Sequence, residues 1–97
     1  MDIDFNGTVI EWRGPAPYYF VPVPEPECDD IREVAAIATY GWGVIPVEAT
    51  IGDAAFTTSL FPKEGGYLLP VKDAVRKPNA LAPGDEVAVR ITIRLDP

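Results

Sequence analysis

The stretch Ile45-Pro46-Val47-Glu48-Ala49-Thr50-Ile51-Gly52-Asp53-Ala54-Ala55-Phe56-Thr57-Thr58-Ser59-Leu60 decides the fold class. Gly52-Asp53 is a two-residue pair suited to a tight hairpin turn, and the residues on either side alternate in polarity. If Ile51 pairs with Ala54, then Ala49 stands opposite Phe56, Val47 opposite Thr58 and Ile45 opposite Leu60. That face is largely apolar, while Glu48, Thr50, Thr57 and Ser59 fall on the other. Residues 44 to 61 are therefore predicted to form a β-hairpin. Pro46 has no N–H to give a ladder, so its strand is expected at an edge, or with that position turned outward.

The same period of two extends outward from the hairpin. Val87, Val89, Ile91, Ile93 and Leu95 alternate with polar or small residues after the turn Pro83-Gly84-Asp85, which predicts a strand with one buried face. Near the start, Ile3, Phe5 and Val9 share one parity, after which Ile10 and Trp12 take over the apolar role. Such a switch predicts a bulge or bend, placed at Gly7. Tyr18 to Val23 reads as a further strand broken by Pro22, with Gly14-Pro15-Ala16-Pro17 as the loop before it, and Tyr67-Leu68-Leu69 as a short one after Gly65-Gly66. At least one of Tyr18 and Tyr19 must face outward by alternation.

Two short helices are predicted between strands. The first runs from about Asp29 to Ala38, where Ile31, Val34, Ala35 and Ala38 fall at helical spacing and Asp29, Asp30 and Glu33 suit the helix start. The second runs from about Pro70 to Arg76, ended by Pro78. Pro24-Glu25-Pro26-Glu27 reads as linker. About six short strands with strong turn signals favour a small closed β-barrel, mainly β with two short helices, because closure removes exposed edges. The 97 residues are expected to form a single domain, residues 1 to 97.

Composition narrows the chemistry. The chain has no histidine and one cysteine, Cys28, which removes the commonest general base and metal ligand and every disulfide within the chain. Asp29-Asp30 are helix-start acids rather than a carboxylate pair, since adjacent helical residues do not face each other. No catalytic residue, metal or cofactor is expected, and the glycines match no phosphate-cradling spacing. The net charge of −7 opposes phosphate backbones, so nucleic acid is disfavoured as a partner. No apolar run is long enough to span a bilayer and the first residues do not form a signal peptide, so a cytoplasmic protein is expected, as a monomer or weak homodimer.

Charge is nonetheless uneven. Residues 1 to 33 hold eight acids against Arg13 and Arg32, whereas Lys63, Lys72, Arg76 and Lys77 cluster within residues 63 to 77. Lys72 and Arg76 lie four apart on one predicted helix face. With Lys63, Tyr67, Ser59 and Trp42 they are the candidate ligand-binding set for an anionic group, offering point charge, bidentate donors and a flat aromatic wall. The competing structural explanation is a solvated helix face balancing Asp73. For Trp42, between Gly41 and Gly43, packing over a barrel end is the competing role.

The order Gly41-Trp42-Gly43, Ile45-Pro46-Val47, Thr58-Ser59-Leu60-Phe61-Pro62, Tyr67-Leu68-Leu69-Pro70-Val71-Lys72 with Arg76, and Gly84-Asp85-Glu86-Val87 resembles the bacterial and archaeal family called domain of unknown function 1905, DUF1905, from about Phe5 to Leu95. The resemblance implies a small β-barrel with short helices and brings no established activity. Some relatives resemble two-part proteins with a second, helical segment linked by name to bacteriocin protection, which this chain, ending at Pro97, is expected to lack. The expected function is a binding or interaction module for an anionic small molecule or an acidic peptide group of a protein partner. The alternatives are an enzyme using a lysine or tyrosine, and a swapped-hairpin DNA-binding dimer.

Overall fold

The computed structural model describes residues 1–12, 18–38 and 44–93. In chain order they form β1 (Asp2–Thr8), β2 (Ile10–Trp12), β3 (Tyr18–Pro22), α1 (Glu25–Ala38), β4 (Ile45–Ile51), β5 (Ala54–Lys63), β6 (Gly66–Pro70), α2 (Asp73–Arg76) and β7 (Glu86–Ile93). All strand pairs are antiparallel, in the order β1-β7-β4-β5-β6-β3-β2. The expected closed barrel of about six strands is corrected to an open half-barrel of seven. Closure fails because β3 stops at Pro22 and the chain enters α1 at Glu25. Among the described residues no strand is left to pair with the outer edge of β1.

The central hairpin has the register its sequence demands: Ile51 opposite Ala54, Ala49 opposite Phe56, Val47 opposite Thr58 and Ile45 opposite Leu60. Ile45, Val47, Ala49, Ile51 and Leu60 are buried, with Phe56 half-buried at the margin. Strand β5 then passes from one half of the sheet to the other, since its last three residues pair with β6 from Phe61↔Leu68 to Lys63↔Gly66. β4 is an interior strand between β5 and β7, so of the two expectations for Pro46 the edge strand does not hold. The proline is tolerated near the start of the strand, one residue before the described ladder to β7 begins at Val47↔Ile93.

The interior is lined by alternate residues of each strand. Val87, Val89, Ile91 and Ile93 of β7 are buried, as their alternation predicts, and Ile3, Phe5, Val9, Val21, Leu69 and Ile31 complete the core. Each such aliphatic side chain contributes about 1.5–3 kcal/mol on burial. Leu95, with Gly14-Pro15-Ala16-Pro17 and Tyr40-Gly41-Trp42-Gly43, lies outside the described residues.

Four local expectations are corrected. The bend near the N-terminus falls at Val9, whose N–H donates to the Asp85 carbonyl at 2.9 Å and whose carbonyl accepts from Gly84 at 2.8 Å, while the β1 ladder runs unbroken through Gly7 to Thr8. Gly7 is required for another reason: a Cβ there would stand 2.5 Å from Val21 Cγ1. The apolar residues Ile10 and Trp12 do not switch into the core, but stay on the outer face at 36% and 47% exposure. Helix α1 starts at Glu25 rather than Asp29 and is 14 residues long. The run Pro24-Glu25-Pro26-Glu27 is its beginning, not a linker, because first-turn residues need no N–H and the first helical bond runs from Cys28 N–H to the Pro24 carbonyl. Helix α2 is a single turn; Pro70 belongs to β6 and Lys72 precedes the helix in extended conformation.

Candidate functional site

Helix α2 places the two central cations of the predicted set. Pro70 ends β6 opposite Phe20, and the buried Val71 donates its N–H to the Tyr19 carbonyl at 2.9 Å, which anchors the chain against β3. The Lys72 carbonyl then accepts from Val75 and Arg76 at 2.9 and 2.8 Å, opening the helical turn, and buried Val75 pins that turn to the core. Asn79 Nδ2 donates to the Val75 carbonyl at 2.8 Å and closes its far end.

This frame sends Lys72 and Arg76 to different environments. The Arg76 guanidinium lies 3.9 Å from the centroid of the Tyr19 ring, and its Nη2 donates to Asp73 Oδ1 at 3.1 Å. The Tyr19 hydroxyl donates to Glu11 Oε2 at 3.0 Å, so Glu11, Tyr19, Arg76 and Asp73 form one chain of contacts. The Glu11 hydrogen bond, with desolvation, raises the Tyr19 pKa above its ordinary value of 10.0. Lys72 is exposed beside a cleft of about 270 Å³ whose walls include Tyr18, Tyr19, Phe20 and Pro70. The Tyr18 and Phe20 rings stand 6.4 Å apart, tilted by 40°, so the wall has two aromatic faces.

Charge pairing separates Lys72 from the other cations. Arg32 is paired with Asp29, Arg76 and Lys77 with Asp73, and Arg90 with Asp4, while Lys63 Nζ lies 3.2 Å from the centroid of the Trp12 ring. Among the described residues Lys72 is the one lysine or arginine with neither an acidic nor an aromatic partner.

Of the predicted set the structure therefore places Lys72 in the cleft lining and Arg76 against the Tyr19 ring, and does not add the rest to the cleft. Lys63 ends β5. Tyr67 is buried, on the same inward parity of β6 as Leu69. Ser59 is half-buried opposite Pro46 in the central hairpin, and Trp42 lies outside the described residues. The aromatic walls come from Tyr18-Tyr19-Phe20, whose ambiguity of facing is settled with Tyr18 at 61% exposure and Tyr19 half-buried. Glu11 is the contributor that sequence reading missed. Its signal was present in the alternation Ile10-Glu11-Trp12, in which the acid takes the inward parity.

A family model described as Domain of unknown function (DUF1905) matches residues 5–91. The chain belongs to the DUF1905 family. The match takes in β2 to β6 and both helices completely, so the cleft of this DUF1905 domain lies inside the family region rather than on an appendage. No curated protein matches the chain. Among the described residues of the DUF1905 domain, no helix is long and apolar enough to cross a membrane.

Proposed function

We propose that this domain is a binding module that takes a small anionic group, free or at the acidic end of a peptide, in the cleft beside Lys72. The observation that carries the reading is Lys72 itself, an ammonium with no acidic or aromatic partner among the described residues, standing next to aromatic walls. The cleft lining holds one cation, Lys72, and one acid, Asp73, whose charge is taken up by Arg76 and Lys77; with the aromatic wall, this suits a ligand that has both an anionic head and a planar or apolar body. Arg76 supports the site: 3.9 Å from the centroid of the Tyr19 ring and held by Asp73, it steadies a ring that lines the cleft.

Binding is favoured over an enzyme built on lysine or tyrosine. Tyr19 hands its proton toward Glu11 and has a raised pKa, the opposite of what a tyrosinate base at neutral pH requires. A DNA-binding dimer is opposed by the net charge of −7 and by the engagement of most described cations. We read the module as a cytoplasmic bacterial or archaeal protein, a monomer or weak homodimer.

The test is a thermal-shift screen of aromatic carboxylates, phosphate monoesters and short peptides with free C-termini, run on the parent and on Lys72→Ala. At least one class is expected to raise the parent's melting temperature, with the effect weakening in salt and disappearing in Lys72→Ala. No shift from any class, or an equal shift in both proteins, overturns the reading.

A further inference from the structure

The outer surface of the sheet divides into two unlike halves. Over β1, β7 and β4 the outward positions include Asp2, Asp4, Glu86 and Glu48, with Arg90 and threonines between them, as expected of a solvated face. Over β2, β3, β6 and the end of β5 the pattern is different. Register puts Phe20 between Ile10 and Pro70, and Trp12 opposite Tyr18. The next row sets Leu68 between Pro22 and Phe61, with Lys63 on the same parity of β5 as Phe61. These rings are not a shifted core, because Val21, Tyr67 and Leu69 on the opposite parity are the buried ones. Lys63 is the one charged residue of this half among the described outward positions, and its Nζ is engaged 3.2 Å from the centroid of the Trp12 ring. No described outward position of the half holds an acid, in a chain that has 15. Of the large apolar residues left exposed among the described ones, all but Met1 lie here.

We infer that this acid-free aromatic face is the contact between two copies of the chain, which pair through it about a two-fold axis. Its chemistry selects the occupant. A charged partner finds no complement there, since the face has no acid to meet a basic one and its one cation is held on a ring. An anionic membrane surface repels a chain of net charge −7. An uncharged aromatic surface is matched by another of the same kind, as in the cores of protein interfaces, where rings are enriched and charges depleted. Charge singles out this face from the second copy's side as well. Two chains of −7 repel each other, and the approach that brings the fewest acids together is through the half of the sheet that has none. Area sets the strength. Trp12, Tyr18 and Phe61 are 47%, 61% and 47% exposed, so each leaves roughly 100 Å² open to a partner. With Ile10 and the half-buried Phe20 and Leu68 the face offers on the order of 450 Å² per copy, against about 800 Å² in a standard interface. The dimer is therefore a weak one, with a dissociation constant of about 10–100 μM. The inference does not rest on the anion cleft, although Tyr18 and Phe20 belong to both.

The test is sedimentation equilibrium of the full chain from about 5 to 500 μM. The weight-average mass is expected to climb with concentration from near the monomer's 10.5 kDa toward twice that value. The climb should begin at lower concentration in about 0.5 M sodium chloride, because salt screens the repulsion between the copies, whereas a contact held by ion pairs would weaken. Tyr18→Glu and Phe61→Glu each place an acid on the face of both copies, at its most exposed ring and on another strand. Each is expected to weaken association by about tenfold or more, with circular dichroism and melting temperature reporting that the chain stays folded. The salt series on the parent needs no variant and stands if a glutamate disturbs the sheet. Lys72→Ala leaves the face intact and should associate as the parent does, so failure of this inference and failure of the anion site are read separately. A chain that stays monomeric throughout the range, association that salt weakens, or folded Tyr18→Glu and Phe61→Glu that both associate like the parent would overturn the proposal.

Discussion

Lys72 and Arg76 carry the same charge four residues apart, yet their truncations should differ in kind. Lys72 is exposed and unpaired among the described residues, so Lys72→Ala is expected to change stability by less than about 0.5 kcal/mol in urea unfolding. Arg76 has 19% side-chain exposure and covers the Tyr19 ring, and Arg76→Ala should cost about 1–2 kcal/mol through the lost packing on that ring. If both variants unfold alike, the division between a ligand-facing lysine and a structural arginine is wrong. Gly7 gives a sharper case. A methyl group at this position meets Val21 Cγ1 at 2.5 Å, and Gly7→Ala should destabilise by about 1–3 kcal/mol, read from the urea midpoint, although the backbone conformation itself suits alanine. At this scale the sequence misled where one residue type serves two ends. Gly7 was read as a bend when it is a close approach, and Ile10 and Trp12 were read as core when they are surface, because an apolar residue on the outer face looks like a shifted inner one.

The hairpin of β4 and β5 was legible because everything that fixes it is local: a Gly-Asp turn and two alternating flanks whose register is set by one apolar face. Its burial profile refines the energetics. Leu60 is fully buried, whereas Phe56 is half-buried, so Leu60→Ala should cost about 2–5 kcal/mol and Phe56→Ala a smaller amount, about 2 kcal/mol, in paired denaturation curves. The opposite order would mean that the strand is turned over. Helix α1 was legible only from Asp29 onward, because two prolines before Asp29 imitate a linker although a helix's first turn tolerates them. The pairing of β1 with β7 carries a pH dependence. The hydrogen bond from Arg90, with its charge, holds the Asp4 carboxyl below its ordinary pKa of 3.8. A depressed folded-state value stabilises above the unfolded pKa and is lost as pH falls through the folded one. Asp4→Asn should therefore be slightly less stable than the parent near neutral pH, and the gap should close as the pH falls below the carboxyl's ordinary value of 3.8, as checked by melting temperature across a pH series.

Across the whole molecule, the mainly β character was readable from strand patterns, but barrel closure was not. Whether the last seam closes depends on where β3 hands over to α1, and no local pattern around Asp2 or Asp4 encodes that event. The candidate site has the same origin. Lys72 and Arg76 were visible as a pair, but Glu11 and Tyr19 reach them only through the pairing of β2 with β3 and of β3 with β6. The surplus of acids also acts globally, through self-repulsion that salt screens. The melting temperature should rise by a few degrees between about 20 and 200 mM sodium chloride, and a fall would show that the surface ion pairs outweigh the repulsion. Cys28 lets the docking of α1 be timed. Its thiol is buried at 2% exposure, donates to the Val23 carbonyl at 3.3 Å and has its pKa pushed up by burial, and the chain has no other cysteine. A disulfide reagent can therefore modify the protein only while that helix has swung off the sheet. The modification rate, compared with that of the unfolded chain, becomes a stopwatch for how often α1 parts from β4 and β6.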